Sequence, residues 1–376
     1  MSDTANATRI QTTAQPAAQN VAILDGPLID CDIHNELPNL DTLHPYLPAH
    51  WVDYVTHSAF AAPDVNDYPR GSPLSARADF IPVGEDEIGT RPGSSLRHIQ
   101  EQVLDPWRVE TGILNCTYWV QSVHDEYLAA ALATALNTWQ VEHWLEGDPR
   151  LRASIVVPSQ NPMAAAAEID RWGAHPGFVQ VLLPVRAQAL YGNRRYDPIF
   201  EAAARHELVI GIHAGGASGL PPSPVGWPAT YIEEVAGIAQ IFQSQVINLI
   251  AEGVFDRFPT LRVTLIESGF TWLPSLMWRI DKEWKGLRSD TPWVKRLPSA
   301  YMLDHLRITT QPLDAPTDPR QFAQIIQQLD SEELLLFATD YPHARFATPD
   351  AAFPVDLPHT LAHKIRYANA QAWYRL

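Results

Sequence analysis

The chain has 376 residues, 46% of them hydrophobic, which is enough to bury a full core, and its formal charge at pH 7 is −16. A chain of this length can form one large barrel or two ordinary domains. The acidic balance argues against nucleic acid and anionic membranes as partners, because both bind concentrated positive charge. No run approaches 18 consecutive apolar residues, so the sequence predicts no membrane span.

The first 24 residues are polar and small, and we expect a disordered arm ahead of a single domain over residues 25–376. The arm lacks the basic start and apolar centre of a secretory signal. Cys31 and Cys116 fall in apolar runs, as free buried thiols do in a reducing compartment. These features favour a cytoplasmic protein.

A long stretch over about residues 41–97 is rich in Pro, Asp, Ser and Gly and carries scattered aromatic residues. Segments of this length between regular elements are more often functional than idle. We expect an irregular insertion that covers a site, with ordinary surface elaboration as the alternative.

The rest of the chain alternates between two kinds of segment. Apolar runs of strand length start at Leu28 and recur at 112–119, 151–158, 177–184, 208–214, 261–268, 305–311 and 334–340. Segments with helical periodicity lie between them, at 126–145, 162–172, 196–206, 231–252, 272–284, 319–329 and 357–373. Eight strand–helix units predict a parallel (β/α)8 barrel of the TIM type. An open doubly wound sheet is less favoured because no Gly-rich phosphate turn follows any strand.

The first apolar run leads into LIDCDIHNELPN, at 28–39. Regular strand alternation would place Asp30, Asp32 and His34 on one face. Two carboxylates and an imidazole on a buried face are costly unless something compensates them. A metal ion is one compensation, and local hydrogen bonds at a strand end are the other.

In a (β/α)8 barrel the active site lies at the carboxyl ends of the strands. Asp32 and His34 end the first predicted strand, His213 ends the fifth and Asp340 ends the eighth. Two imidazoles and two carboxylates suit zinc, manganese or iron, and Asp340 could move a proton as a general acid or base. Each residue alone also fits a core hydrogen bond or a helix cap, but their coincidence at one end of the barrel favours a metal site.

Four motifs resemble the amidohydrolase-related family, in the branch that includes aminocarboxymuconate-semialdehyde and resorcylate-type decarboxylases. They are DCDIH, GIHAG, IESGFTWLPSLMWRID and LFATDYPH, and the resemblance spans about 28–373. It implies a (β/α)8 barrel, one divalent metal ion held by Asp32, His34, His213 and Asp340, and hydrolysis, hydration or non-oxidative decarboxylation. Zinc is the first expectation for the metal and manganese the second.

The sequence departs from the family in two places. Binuclear relatives bridge two metals through a carboxylated lysine on strand four, but no lysine precedes Lys282, so a single metal is implied. Many relatives end strand six in a histidine, where this chain has Glu267. Glu267 could be a general acid or a structural acceptor, and we group it with Asp340 and His213 as candidate catalytic residues.

Candidate substrate contacts lie near other strand ends. Arg186 and Arg307 could each hold a substrate carboxylate through two hydrogen bonds, or pair with a local Asp or Glu. Trp119 could form an apolar wall for an aromatic ring, or belong to the core. His343, three residues after Asp340, could reach the site or face solvent.

We interpret the chain first as a metal-dependent hydrolase whose metal-activated water attacks an ester, lactone or amide of a small substrate. The alternative is a metal-dependent decarboxylase of an aromatic or unsaturated carboxylic acid, and a non-catalytic scaffold barrel is more remote. The resemblance also suggests a homo-oligomer, most simply a dimer.

Overall fold

A computed structural model of the protein describes residues 26–63, 76–81, 91–215 and 226–376. Eight strands follow one another around a single sheet in chain order, and each pairs in parallel with the next. The strands are β1 Leu28–Ile33, β2 Val109–Leu114, β3 Leu151–Val156, β4 Phe178–Pro184, β5 Val209–His213, β6 Val263–Ile266, β7 Leu306–Thr309 and β8 Leu335–Leu336. The predicted (β/α)8 barrel is confirmed.

The barrel closes between the segment after β8 and β1. The N–H of Cys31 donates to the carbonyl of Phe337 at 3.0 Å, and the N–H of His34 donates to the carbonyl of Tyr341 at 2.9 Å. Regular β8 has only two residues, fewer than the predicted 334–340. After it, the N–H of Ala338 donates to Thr310 Oγ1 and the N–H of Thr339 donates to Asp30 Oδ1, so side chains replace the regular backbone pairing. The residues that end β8 therefore form the seam against β1.

Helices cover the outside of the barrel. They are α1 Ala49–His57, α2 Leu96–Ile99, α3 Glu126–Gln140, α4 Pro162–Trp172, α5 Asp197–Arg205, α6 Tyr231–Ala251, α7 Val254–Arg257, α8 Leu273–Leu287, α9 Pro298–His305, α10 Pro319–Gln328, α11 His359–His363 and α12 Asn369–Tyr374. Local sequence fixes several of their starts: Asp125 accepts from two N–H groups of α3, and Thr230 forms a capping box with Glu233 at α6.

Two sequence-based expectations concern segments that are only partly described. The 1–24 arm lies outside the described residues, and so do 64–75 and 82–90 of the insertion. The described part of 41–97 is not irregular throughout, because it contains a 3-10 helix at Leu40–Tyr46 followed by α1. Pro48 precedes α1, a position where its missing N–H costs no hydrogen bond.

Two apolar clusters matter for the site. The larger one fills the space between barrel and helices. The smaller one joins β1, β2, β5 and β8 to α12 near the amino ends of the strands, through Ile29, Cys31, Ile113, Val209, Leu336, Ala370, Trp373 and Tyr374. Within the described ranges, none of the helices combines the length and apolar character needed to cross a bilayer.

The seam supplies a stability test. The Thr339 hydroxyl donates to Asp30 Oδ2 at 2.6 Å, and both residues are buried. Thr339→Val keeps the shape but leaves that carboxylate short of a donor, so we expect a loss of about 1–3 kcal/mol in the free energy of unfolding, measured in urea.

Thr42→Val is the matched control, because the Thr42 hydroxyl bonds to Asn39 at an exposed site. It should change stability by less than about 0.5 kcal/mol. Equal losses in the two variants would contradict a special role for the seam hydrogen bond.

Candidate metal centre and active site

The four predicted ligands meet at the carboxyl ends of β1, β5 and β8. His34 Nε2 lies 3.1 Å from Asp340 Oδ1 and 3.9 Å from Asp32 Oδ1. His213 Nε2 lies 3.6 Å from the same Asp32 oxygen. All four side chains are buried. Residues up to 308 positions apart are thus brought to one point by barrel closure.

Glu267, after β6, links two overlapping groups of potential ligands. Asp32, His34, His213 and Glu267 offer atoms within 4.8 Å of one another, and so do His34, Glu267, Asp340 and His343. The Glu267 carboxylate lies 3.7 Å from His213 Nδ1 and 3.9 Å from His34 Nε2. The place of the expected strand-six histidine is therefore occupied by an acidic group within the cluster.

Backbone carbonyls fix how the two imidazoles are oriented. His34 Nδ1 lies 3.2 Å from the carbonyl of Asn115, and His213 Nδ1 lies 2.6 Å from the carbonyl of Ala214. A carbonyl only accepts, so each Nδ1 donates to its carbonyl and each Nε2 faces the carboxylates of the cluster. A metal-binding histidine is oriented in the same way, with its other nitrogen held by an outer partner.

Unsatisfied buried atoms test whether a metal ion fits. Among the described residues, Asp32 Oδ2 and His213 Nε2 are buried without a hydrogen-bond partner. Leaving such atoms unpaired costs about 1–3 kcal/mol each. Imidazole nitrogen and carboxylate oxygen are ligands that zinc, manganese and iron accept. The cluster is therefore a site for a divalent metal ion.

The electrostatics of the cluster favour a cation. Burial lowers the pKa of His213, but the carboxylates of Glu267 and Asp32 outweigh it and raise that pKa to about 9. Burial raises the pKa of Asp340, but His343 and His34 outweigh it and hold the Asp340 pKa well below its usual range. The protein thus builds a negative potential that a bound cation would neutralise.

Two residues of the cluster adopt a left-handed backbone conformation. Glu267 and Asp340 have φ of 58° each, a region that residues other than glycine adopt at some cost. Such strain persists only where the surroundings impose it, and it concentrates at functional sites. Here it turns two carboxylates at strand ends toward the imidazoles.

Asp30 does not join the cluster, although regular alternation had placed it on the face of Asp32 and His34. It accepts from the Thr339 hydroxyl and the Thr339 N–H, and burial raises its pKa to about 7. The register of β1 against β2 shifts between Asp30 and Ile33, which breaks the alternation. The expectation of one shared face was wrong for that reason.

Asn115 contacts two of the predicted ligands, although the sequence motifs did not indicate it. Its Nδ2 donates to Asp32 Oδ1 at 2.9 Å, and its carbonyl accepts from His34. It therefore orients both predicted ligands of the first strand. The signal was a polar residue after the apolar run of β2, but its partners lie more than 80 residues away.

The candidate substrate contacts separate into two groups. The ring of Trp119 is 5.8 Å from that of His213 and packs with Leu182 and Ile266, so it borders the cluster. His343 Nδ1 lies 2.5 Å from Asp340 Oδ1 and its side chain is 27% exposed, so it contacts the cluster from the open side.

Neither arginine contacts the cluster in the described hydrogen bonds and ion pairs. Arg186 is buried in an ion pair with Glu234 of α6, and burial lowers its pKa to about 10. Arg307 lies near the amino end of β7, at the opposite end of the barrel, where it bonds to Glu333 and two carbonyls. In both cases the local ion pair, which was the alternative interpretation, is what the structure shows.

A cavity of about 410 Å³ opens beside Glu267. Its walls combine the apolar side of α6 with residues that follow β6, β7 and β8, among them Ile232, Val235, Ser268, Pro312, Asp314 and Arg345. A volume of this size suits a small molecule. Glu267 is the cluster residue in its wall, and the cavity lies on the face of the barrel where catalysis is expected.

Known proteins resemble this chain in sequence and in fold. A family model described as amidohydrolase matches residues 29–376. Gamma-resorcylate decarboxylase of Rhodococcus jostii is 25% identical over 290 residues, which cover 72% of this chain and 84% of the relative. The same enzyme of a Polaromonas strain is 24% identical and covers 81% and 94%.

A solved structure agrees with the fold. It is 5-carboxyvanillate decarboxylase of Novosphingobium aromaticivorans, complexed with manganese and 4-hydroxy-3-methoxy-5-nitrobenzoic acid. Its TM-score is 0.67, with 20% identity and coverage of 94% of this chain and 97% of that one.

These relatives correct one expectation and confirm another. The preference for hydrolysis was wrong, because the curated relatives are decarboxylases. The family resemblance found in the motifs is confirmed over nearly the whole chain. With a match over residues 29–376, the chain belongs to the amidohydrolase family of enzymes.

Proposed function

We propose that this enzyme is a metal-dependent, non-oxidative decarboxylase of a small aromatic carboxylic acid that carries a neighbouring hydroxyl group. The observation that carries the proposal is the pairing of Asp340 with His343 at the edge of the cluster, which supplies a proton beside the metal site. The curated relatives named as gamma-resorcylate decarboxylases support the same reaction. The match over residues 29–376 also supports a single catalytic domain from about residue 25.

We assign Asp32, His34, His213 and Asp340 as metal ligands, with Glu267 next to them. Manganese in the structure of the carboxyvanillate enzyme makes manganese as good a candidate as zinc. The bound ion would supply a Lewis acid for the substrate carboxylate and its neighbouring oxygen. The side chains around it have to supply the rest.

The reaction replaces the carboxylate on one ring carbon of the substrate with a hydrogen atom. The bond to the carboxylate carbon breaks, carbon dioxide leaves, and the same ring carbon gains one proton. Asp340 is ionised at rest, because His343 and His34 hold its pKa well below the usual range. His343 donates to Asp340 at 2.5 Å, so it can pass a proton through Asp340 to the ring carbon and recover one from solvent on its exposed side.

Glu267 and Trp119 would orient the ring. Glu267 borders both the cavity and the cluster, and as a carboxylate it can accept a hydrogen bond from the substrate hydroxyl. Trp119 lies against His213 with Leu182 and Ile266, which makes an apolar wall for an aromatic face. Correct orientation lets the proton reach one carbon only.

The ligand set predicts the metal content. The protein should bind about one equivalent of manganese or zinc, and His213→Ala should lose it, because a ligand nitrogen is removed. Elemental analysis after equilibration with each ion measures this. His57→Ala is the control, since His57 lies on the exposed side of α1. Metal retention in His213→Ala equal to that of the control would contradict the assignment.

The reaction itself is tested with hydroxybenzoate-type acids. We expect carbon dioxide release, and in heavy water one deuterium at the carbon that lost the carboxylate. Asp340→Asn should lower the rate by at least about a hundredfold, because the proton route is cut. Asp53→Asn is the control, because Asp53 is an exposed carboxylate on α1 that pairs with His57. Ester or lactone hydrolysis without carbon dioxide release would overturn the proposal.

His343 separates proton supply from metal binding. His343→Gln keeps a hydrogen-bonding group but cannot carry a proton at neutral pH. We expect kcat to fall by about 10- to 100-fold while the metal dissociation constant stays within a few-fold of wild type. Steady-state kinetics and metal titration measure the two effects. An unchanged kcat would remove His343 from the proton route.

A further inference from the structure

The C-terminal end of the chain closes the barrel at the amino ends of the strands. Trp373 and Tyr374 of α12 are buried there in the smaller apolar cluster. The indole N–H of Trp373 donates to Thr264 Oγ1 at 3.0 Å, and the hydroxyls of Thr264 and Tyr374 are 3.1 Å apart. The Tyr374 hydroxyl donates to Gln180 Oε1 at 2.9 Å. Two C-terminal side chains thus make polar contacts inside the barrel.

Gln180 of β4 links the Tyr374 hydroxyl to a residue of β3 and to Asn115 after β2, inside the barrel. Its Nε2 donates to Ser154 Oγ at 2.8 Å and to Asn115 Oδ1 at 3.1 Å, and Ser154 Oγ donates to the same Asn115 oxygen at 2.6 Å. Gly211 of β5 makes room for it, because a Cβ there would lie 2.5 Å from Gln180 Cδ. A side chain at position 211 would therefore displace the Gln180 amide from these hydrogen bonds.

Asn115 completes a continuous chain of hydrogen bonds from Tyr374 to a proposed metal ligand. Its Nδ2 donates to Asp32 Oδ1 at 2.9 Å. A carboxylate can only accept, so Asn115 presents Nδ2 to Asp32 and Oδ1 to Gln180 and Ser154, and Gln180 presents Oε1 to Tyr374. From the Tyr374 hydroxyl to Asp32, every group in the chain donates toward the carboxylate.

This uniform direction has a physical consequence. Hydrogen bonds that point the same way in a buried, low-dielectric interior polarise one another. Burial raises the pKa of Tyr374 well above its usual value, so its hydroxyl keeps the proton that it donates. The chain holds Asp32 Oδ1, while Asp32 Oδ2 is buried without a hydrogen-bond partner. Asp32 Oδ1 is also the oxygen that lies 3.9 Å from His34 Nε2 and 3.6 Å from His213 Nε2, so the chain fixes the orientation of this carboxylate toward the imidazoles.

We propose that Tyr374 is a positioning residue for the metal centre, which acts through Gln180 and Asn115 to orient Asp32. The proposal rests on the assignment of Asp32 as a ligand, but not on the reaction that the site performs. A merely structural Tyr374 would affect the stability of the metal-free protein and leave its affinity for metal unchanged.

Tyr374→Phe removes the hydroxyl and keeps the ring. We expect the dissociation constant for manganese, measured by competition with a chelator, to rise about tenfold, as is typical when an outer partner of a ligand is lost. The visible absorption of the cobalt-loaded protein should also change, because the ligand field changes at Asp32. Urea denaturation of the metal-free protein measures stability separately.

Tyr367→Phe is the matched control. It makes the same chemical change seven residues earlier, where the hydroxyl bonds to Glu110 and Gln371 at the surface. Its metal affinity and cobalt spectrum should match wild type. Ser154→Ala is a second variant, which removes one branch between Gln180 and Asn115, and it should weaken metal binding in the same direction.

The outcomes are distinct. If Tyr374→Phe and Ser154→Ala both bind manganese within twofold of wild type, the inference is wrong. A Tyr374→Phe protein that does not fold leaves Ser154→Ala to decide. Wild-type protein that binds no metal would overturn the ligand set and this inference together. Metal binding weakened in both variants, in a protein that releases no carbon dioxide, would support the inference and reject only the proposed reaction.

Discussion

The structure depends on keeping carboxylates buried at the seam where β8 meets β1. Asp30, Asp32 and Asp340 are each at most 1% exposed. Burying ionised groups is expensive unless each is neutralised, hydrogen-bonded or bound to a cation. The three carboxylates have different hydrogen-bond partners. These partners show which carboxylate stabilises the fold and which could bind a cation.

Asp30 is satisfied internally. The Thr339 hydroxyl, the Thr339 N–H and the N–H of Asp32 all donate to it, and burial raises its pKa to about 7. It ties the seam together, and both of its oxygens accept hydrogen bonds from the protein. Asp32, two residues on, receives the side chain of Asn115 on one oxygen and keeps the other free of hydrogen bonds. The carboxylate oxygen without a hydrogen-bond partner distinguishes Asp32, the proposed ligand, from Asp30, which serves the fold.

Much of this was predictable from the sequence. Residue type and position at strand ends were enough to predict that Asp32, His34, His213 and Asp340 lie close together, because parallel strands in a barrel must end on one face. Helical periodicity over 162–172 predicted the bounds of α4, and in the structure Asn161 caps that helix and Pro162 begins it. These predictions rest on local pattern and on a topology that fixes which ends meet.

Other features could not be predicted, because they depend on contacts between distant side chains. Arg186 looked free to hold a substrate until the fold brought Glu234 of α6 beside it. Asp30 and Asp32 looked equivalent until a register shift in β1 separated them. The reaction type was also beyond the motifs, since the same ligands serve hydrolysis and decarboxylation. The curated relatives, which are decarboxylases, are what separate the two.

The interior of the barrel couples stability to the site. A TIM barrel usually fills this space with branched apolar side chains, whereas here Ser154, Gln180 and Thr264 are buried in it. Polar groups in a core are costly unless every one is paired, so they specify one arrangement. The arrangement they specify runs from Trp373 and Tyr374 to Asp32, a proposed metal ligand. The hydrogen bonds that hold α12 against the barrel therefore also hold Asp32. A metal ion that binds only the native state would stabilise the site and the packing of α12 together.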